Sequence, residues 1–333
     1  MRWLVALTLL VLLLVPGICL SYELRWDLYR TTTTTAICIK TGYDLLIDAV
    51  DQTDIPLTLK ALGASASAVP FIILGHEYSH GEIPRRLGTE HWYKINIGSP
   101  SGGNGGEIKY LKTWDSKQVM THLVINGIRC EKAMRDEIRK EQTMHGVNYK
   151  NSALMTQLFV IKLLNAEGKG EGNDYRAFSE YSNLSLASIQ RMALLSILDP
   201  FTLISGCHFI AACFGYQEAY DLVTLPSIDY NLYPRAATYE IALAKKIQDC
   251  YTKITLESGR GTWNNRVYGG SVAGTICKIN NVTIKGRIHW VKNCVSTIEP
   301  TVIYKNYVLG AQYSFKKISI IEKELELFAG LRF

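Results

Sequence analysis

The sequence predicts an α+β fold: a helical region over residues 36–230, joined to an antiparallel β region over residues 231–333. Three observations carry this. Apolar residues return at helical spacing from Gly42 to Phe214, with Pro and Gly at the breaks. From about Ala236 the pattern switches to period two and is studded with turn residues. Between them, Gly75-His-Glu-Tyr-Ser-His-Gly81 places charge at the end of Ala61–Leu74, a stretch that holds none. Charge ending a buried apolar helix is costly unless something satisfies it.

The chain has 333 residues, enough to bury a large core and to hold two domains. Charged residues make up 20% and apolar residues 47%, and the formal charge of +6 is scattered, with only short basic pairs such as Arg85-Arg86 and Lys316-Lys317. No basic stripe for nucleic acid is present. Residues 1–21 read as a secretory signal: Arg2, an apolar run from Leu4 to Val15, and a small-residue exit near Cys19-Leu20-Ser21. Seven cysteines follow it without CxxC spacing, which argues against a thiolate metal site and a full disulfide framework and leaves room for one or two bridges beside buried free thiols.

In order, residues 22–35 open as a strand, with Leu24, Trp26 and Leu28 alternating against Arg25, Asp27 and Tyr29, and Thr31–Thr35 extend or end it. Gly42–Asp54 has helical spacing. Ala61–Leu74 leads into the charged motif, with Pro70 as a kink or a start. The Gly-rich run Gly98–Gly106 reads as a linker or hairpin tip, because it lacks the strand–loop–helix setting of a phosphate loop. Thr113–Gln142 is a long amphipathic helix and Ser152–Leu164 a compact one. Gly168–Asp174 is a loop, and Ser188–Phe214 is apolar again with a break at Asp199-Pro200.

The β region alternates sharply. Ile284, Gly286, Ile288 and Trp290 face one way and Thr283, Lys285, Arg287 and His289 the other; Leu325, Leu327, Ala329, Leu331 and Phe333 oppose Glu324, Glu326, Phe328, Gly330 and Arg332. A final strand of this kind, ending on an aromatic residue, resembles the last strand of bacterial outer-membrane β-barrel proteins. The resemblance implies seven or eight membrane strands, closure by residues 22–35 beside the last strand, and an outer-membrane location with lipid as a partner. A soluble sheet with one wet face fits the same alternation.

On a helix, His76 and His80 stand one turn apart and can grip one Zn²⁺, and Glu77 lies beside the open metal position. This pattern resembles the zinc metallopeptidases with an HExxH signature, and implies a helical zincin-like domain inserted in or packed on the barrel, with Glu77 as catalytic base and a peptide or unfolded protein as substrate. In the gluzincins the third ligand is a Glu on a later helix among small residues. Val124-Ile-Asn-Gly-Ile-Arg-Cys-Glu-Lys-Ala-Met134 is similar, which nominates Glu131. Asp199 is the alternative, because site-2 intramembrane proteases complete their zinc site with an Asp on a later membrane helix; it also fits a helix cap before Pro200. Tyr78, His122 and His145 are candidates for transition-state stabilisation. His208 reads as a core histidine. A structural outer-membrane protein with an incidental motif remains open beside the enzyme.

Overall fold

The computed structural model describes residues 23–27, 31–96, 105–110, 116–167, 173–216, 224–248, 250–262, 265–315 and 323–332. The signal-like residues 1–21, the centre of the Gly-rich run and Phe333 lie outside the described residues. Eight helices and eleven strands are described in chain order. Strand β1 (Glu23–Asp27) precedes helices α1 (Thr32–Asp51), α2 (Leu57–His80) and α3 (Glu82–Arg86). A hairpin comes after them, β2 (His91–Asn96) with β3 (Gly105–Tyr110), paired antiparallel. Next come α4 (Lys117–His145), α5 (Tyr149–Glu167), α6 (Asp174–Ser182), α7 (Leu186–Leu195) and α8 (Pro200–Cys213). The rest is sheet: β4 (Pro226–Tyr233), β5 (Ala236–Ile247), β6 (Cys250–Gly261), β7 (Arg266–Ile279), β8 (Val282–Val291), β9 (Val295–Tyr304), β10 (Tyr307–Phe315) and β11 (Lys323–Arg332).

The threonine run is helical, and neither extends the strand nor forms a break. Thr31 caps α1 by accepting from the Thr34 amide at 3.4 Å, and Asp27 accepts in turn from the Thr31 amide and hydroxyl. Pro70 lies inside α2, which runs on through it. Small residues of α2, Ala61, Ala64 and Ala68, pack with Ile39, Tyr43 and Ile47 of α1 and with Met134 and Ile138 of α4. Leu154 and Leu158 of α5 and Phe201 of α8 complete this core. A second core joins α4 to α6, α7 and β4 through Ile125, Tyr175, Phe178, Ile189 and Tyr230.

Nine strands form one antiparallel sheet in the order β1-β11-β10-β9-β8-β7-β6-β5-β4. The N-terminal strand does pair beside the last one, with Trp26 opposite Ala329. The expected barrel, however, is not closed: β1 and β4 are the two edges of an open sheet. Helices take the place of closure. Helix α1 follows β1 in the chain and packs on it, and α4, α7 and α8 pack at β4. The sheet also starts at Pro226, a few residues before the boundary expected at 231. Glycines let strands pass tightly: a Cβ at Gly259 would lie 2.0 Å from the Ala237 carbonyl oxygen, and one at Gly269 would lie 2.1 Å from that of Trp290.

The side of the sheet turned to the helices is polar. Glu240 and Glu257 are 4% and 5% exposed, whereas Leu256 between their strands' outward positions is 70% exposed. Each buried carboxylate is matched, Glu240 by Lys132 at 3.0 Å and Lys253 at 3.4 Å, and Glu257 by His289 at 2.8 Å, Thr238 and Tyr233. Between this face and α1, α3 and α4 lies a polar cavity of about 240 Å³, lined in part by Glu82, Arg129, Lys132, Arg287 and Glu326. Arg86 of α3 bridges it by pairing with Glu326 of β11.

A buried ionic clasp ties the helical layer to the sheet. Asp229 of β4 accepts from Arg135 Nε at 3.0 Å and from Arg139 Nη1 at 2.8 Å, and Arg139 Nη2 reaches Asp199 at 3.0 Å. All four residues are at most 3% exposed. Removing one partner strands the others' charge out of water, which costs about 3–5 kcal/mol. Asp229→Ala is therefore expected to lower the unfolding free energy by about that much in denaturant titration. A change under about 1 kcal/mol would show that water replaces the carboxylate.

Candidate functional site

Helix α2 delivers the site. It is apolar and rich in small residues until its last turn, where His76 and His80 project from one face with ring centroids 4.9 Å apart. Long side chains on α4 could not pass there. A Cβ added to Gly127 would sit 2.6 Å from His76 Nε2 and 2.7 Å from His80 Nε2, closer than any real Cβ approaches. The backbone of α4 therefore forms the floor of the site. Gly75, just before the first histidine on α2, lets Met134 and Cys130 of α4 come near as well.

Each imidazole is oriented from behind. His76 Nδ1 lies 2.6 Å from Glu131 Oε1, and His80 Nδ1 lies 2.7 Å from the Leu123 carbonyl oxygen. A carbonyl oxygen can only accept, so His80 Nδ1 carries a hydrogen, and a carboxylate draws the same tautomer at His76. Both Nε2 atoms of the neutral rings then present lone pairs. They point to one spot, occupied from the other side by Asp174 Oδ2, which lies 2.8 Å from His76 Nε2 and 3.3 Å from His80 Nε2. With both rings neutral, this buried oxygen accepts no hydrogen bond among the described residues.

Three electron-pair donors thus converge with no hydrogen between them when both rings are neutral. Lone pairs this close repel unless a cation sits among them, and two imidazoles with one carboxylate make a ligand set for a divalent metal. Glu131, 1% exposed, lies behind His76, and a carboxylate there stiffens the ring and raises its basicity. Glu77 is buried beside the pair at 8% exposure.

Not every residue expected from the sequence comes to this spot. Glu131 does reach the site, one turn beyond the glycine that lets α4 approach, but it lies on the Nδ1 side of His76 rather than among the converging atoms. Asp199 sits elsewhere, capping α8 through the Thr202 amide at 3.2 Å and accepting from Arg139 and the Ile228 amide. His122 faces the polar cavity on the far side of α4. Tyr78 stacks on Tyr93 at 5.4 Å under the Arg85 guanidinium, turned toward the hairpin. His145 ends α4 in an exposed position, and His208 meets Ser152 in the core at 3.2 Å.

Asp174 was hidden in the sequence because Gly168–Asp174 has the composition of a loop. Asp174 is instead the first residue of α6, whose cap Asn173 accepts from the Arg176 amide at 3.1 Å. The one signal was Asn-Asp at a helix start after a Gly-rich run, a pattern that capping alone also explains. Comparison with known proteins returned no family model, no curated protein and no solved structure that matches the chain.

Proposed function

We propose that the chain is a zinc-dependent peptidase in which His76, His80 and Asp174 hold the ion and Glu77 is the general base. The observation that carries this is the convergence of His76 Nε2, His80 Nε2 and Asp174 Oδ2 on one spot, beside a buried glutamate. Zinc held by three protein ligands keeps a fourth position for water and brings the pKa of that water near neutrality. The chain's part is then positional. Glu131 and the Leu123 carbonyl fix the rings, and Gly127 keeps the approach clear over the backbone. Glu77 takes a proton from the attacking water and passes it to the leaving amine. On this reading the helical layer is a zincin-like catalytic unit with peptide substrates, acting without nucleic acid.

The same two-histidine, one-carboxylate set also suits ferrous iron. The buried Glu77 favours hydrolysis, because a base beside the metal has no evident task in oxygen chemistry. Metal analysis of purified protein is expected to give one zinc per chain. Glu77→Gln should keep the zinc and lower peptide hydrolysis at least a hundredfold, in keeping with the usual contribution of a general base. Absence of bound zinc, or undiminished cleavage by Glu77→Gln, would end the proposal.

A further inference from the structure

Position by position, the sheet is built inside out. Its hydrogen-bonded register aligns Leu243, Ile254, Val272, Ile288, Ile298, Tyr313 and Leu325 into one row that crosses seven strands, β5 to β11. Every member is exposed, from 46% at Tyr313 to 63% at Leu325. One residue along each strand, the opposite face carries Thr255, Ser271, His289, Thr297 and Ser314 in a matching row. An α+β protein in water packs the apolar side of its sheet on the helices and wets the polar side. This sheet does the reverse.

The apolar surface also continues past the sheet. Helices α1 and α4 lie against the sheet's polar side, α2 and α5 form the next layer out, and α8 packs on these two and meets the sheet at β4. That layer turns Leu59 and Leu62 of α2, Leu164 of α5, and Leu203 and Ile210 of α8 outward, each at least half exposed. The stretch Leu57–Arg86 is long and apolar enough to cross a bilayer, yet only 33% of its apolar window is buried, whereas the core helix of a soluble protein is mostly buried. One apolar surface is the sheet face turned away from the helices, and the other lies on the helical layer behind the polar face. A partner protein or a second copy would cover one of them; only a surrounding solvent covers both.

We infer that the chain is an integral membrane protein whose open sheet and outer helices together present one belt to lipid hydrocarbon, with the polar cavity between them. The dimensions agree. Strands β5 to β11 have 9 to 14 residues, and a tilted membrane strand needs about 9–11. Helices flanking β1 and β4 supply in this fold what closure supplies in a barrel, since sheet edges open to lipid do not persist. This inference is independent of the metal site.

The full chain, purified in detergent and exchanged into phosphatidylcholine–phosphatidylglycerol vesicles, is expected to float with them on a density gradient and to resist carbonate extraction. Val272→Asp with Ile288→Asp, at the centre of the sheet row, should cut the floated fraction at least tenfold while strand content in detergent, read by circular dichroism, stays unchanged. Leu203→Asp with Ile210→Asp on α8 should do the same. The inference is overturned if the wild-type chain is stable and monodisperse without detergent and fails to float. It is equally overturned if it forms a detergent-free dimer that the sheet pair alone disrupts, or if charged rows float as wild type does.

Discussion

Gly127→Ala is expected to abolish tight zinc binding while leaving the fold as stable as before. The added methyl would lie 2.6 Å and 2.7 Å from the two Nε2 atoms, so either the rings rotate off their Glu131 and Leu123 anchors or α4 moves away from α2. Each response displaces ligand atoms that a metal needs placed to within about 0.5 Å, and we expect affinity to fall at least a hundredfold. Stability should change little, because the gain of about 1 kcal/mol for alanine over glycine in a helix interior offsets most of what the displaced rings or helix cost in packing. A chelator-competition titration and a metal-free melting curve on the same sample give both readings. Native zinc affinity in this variant would mean that the histidines do not bind the ion through Nε2.

Asp174→Ala and Glu131→Gln are expected to rank in that order, with the larger loss at Asp174. Asp174 offers an oxygen at the converging spot, so its loss leaves two protein ligands and should weaken zinc at least a thousandfold. Glutamine at position 131 still accepts from His76 Nδ1 and loses only charge; changes behind a ligating histidine usually cost about 10–100-fold. Zinc affinities of both variants by competition decide the matter. The opposite ranking would return Glu131 to the place the sequence suggested and leave Asp174 a charge neighbour.

Much of the fold was readable in the chain because its patterns are local. The alternation that sets Leu325 and Leu327 against Glu326 appears as 63% and 68% exposure against 8%, and the long periodic segments became α4, α5 and the α7–α8 pair with its break at Asp199. His76, Glu77 and His80 were legible for the same reason, since one helical turn joins them. The readings that failed depend on partners distant in sequence. Asp174 reaches the histidines only because α6 packs on α4, and no spacing rule encodes that. Closure of the sheet turned on the elements after β1, where a helix stands in place of another strand. The threonines, β-formers by propensity, became the first turn of that helix because Thr31 caps it and Glu82 accepts from the Thr32 amide at 2.8 Å and from its hydroxyl.

The clasp around Asp229 orders events in time. A chain made from its N-terminus has Arg135 before it has β4; Arg139 finds Asp136 and Asp199 earlier in the chain, but the Arg135 guanidinium, 1% exposed, leaves water against Asp229 of β4. Helix α4 therefore dries only when the first long strand of the sheet arrives. Because α4 also carries Gly127 and Glu131, the ligand cluster matures after the sheet has begun to form, and a nascent chain that has made only its helices carries the motif without a finished site.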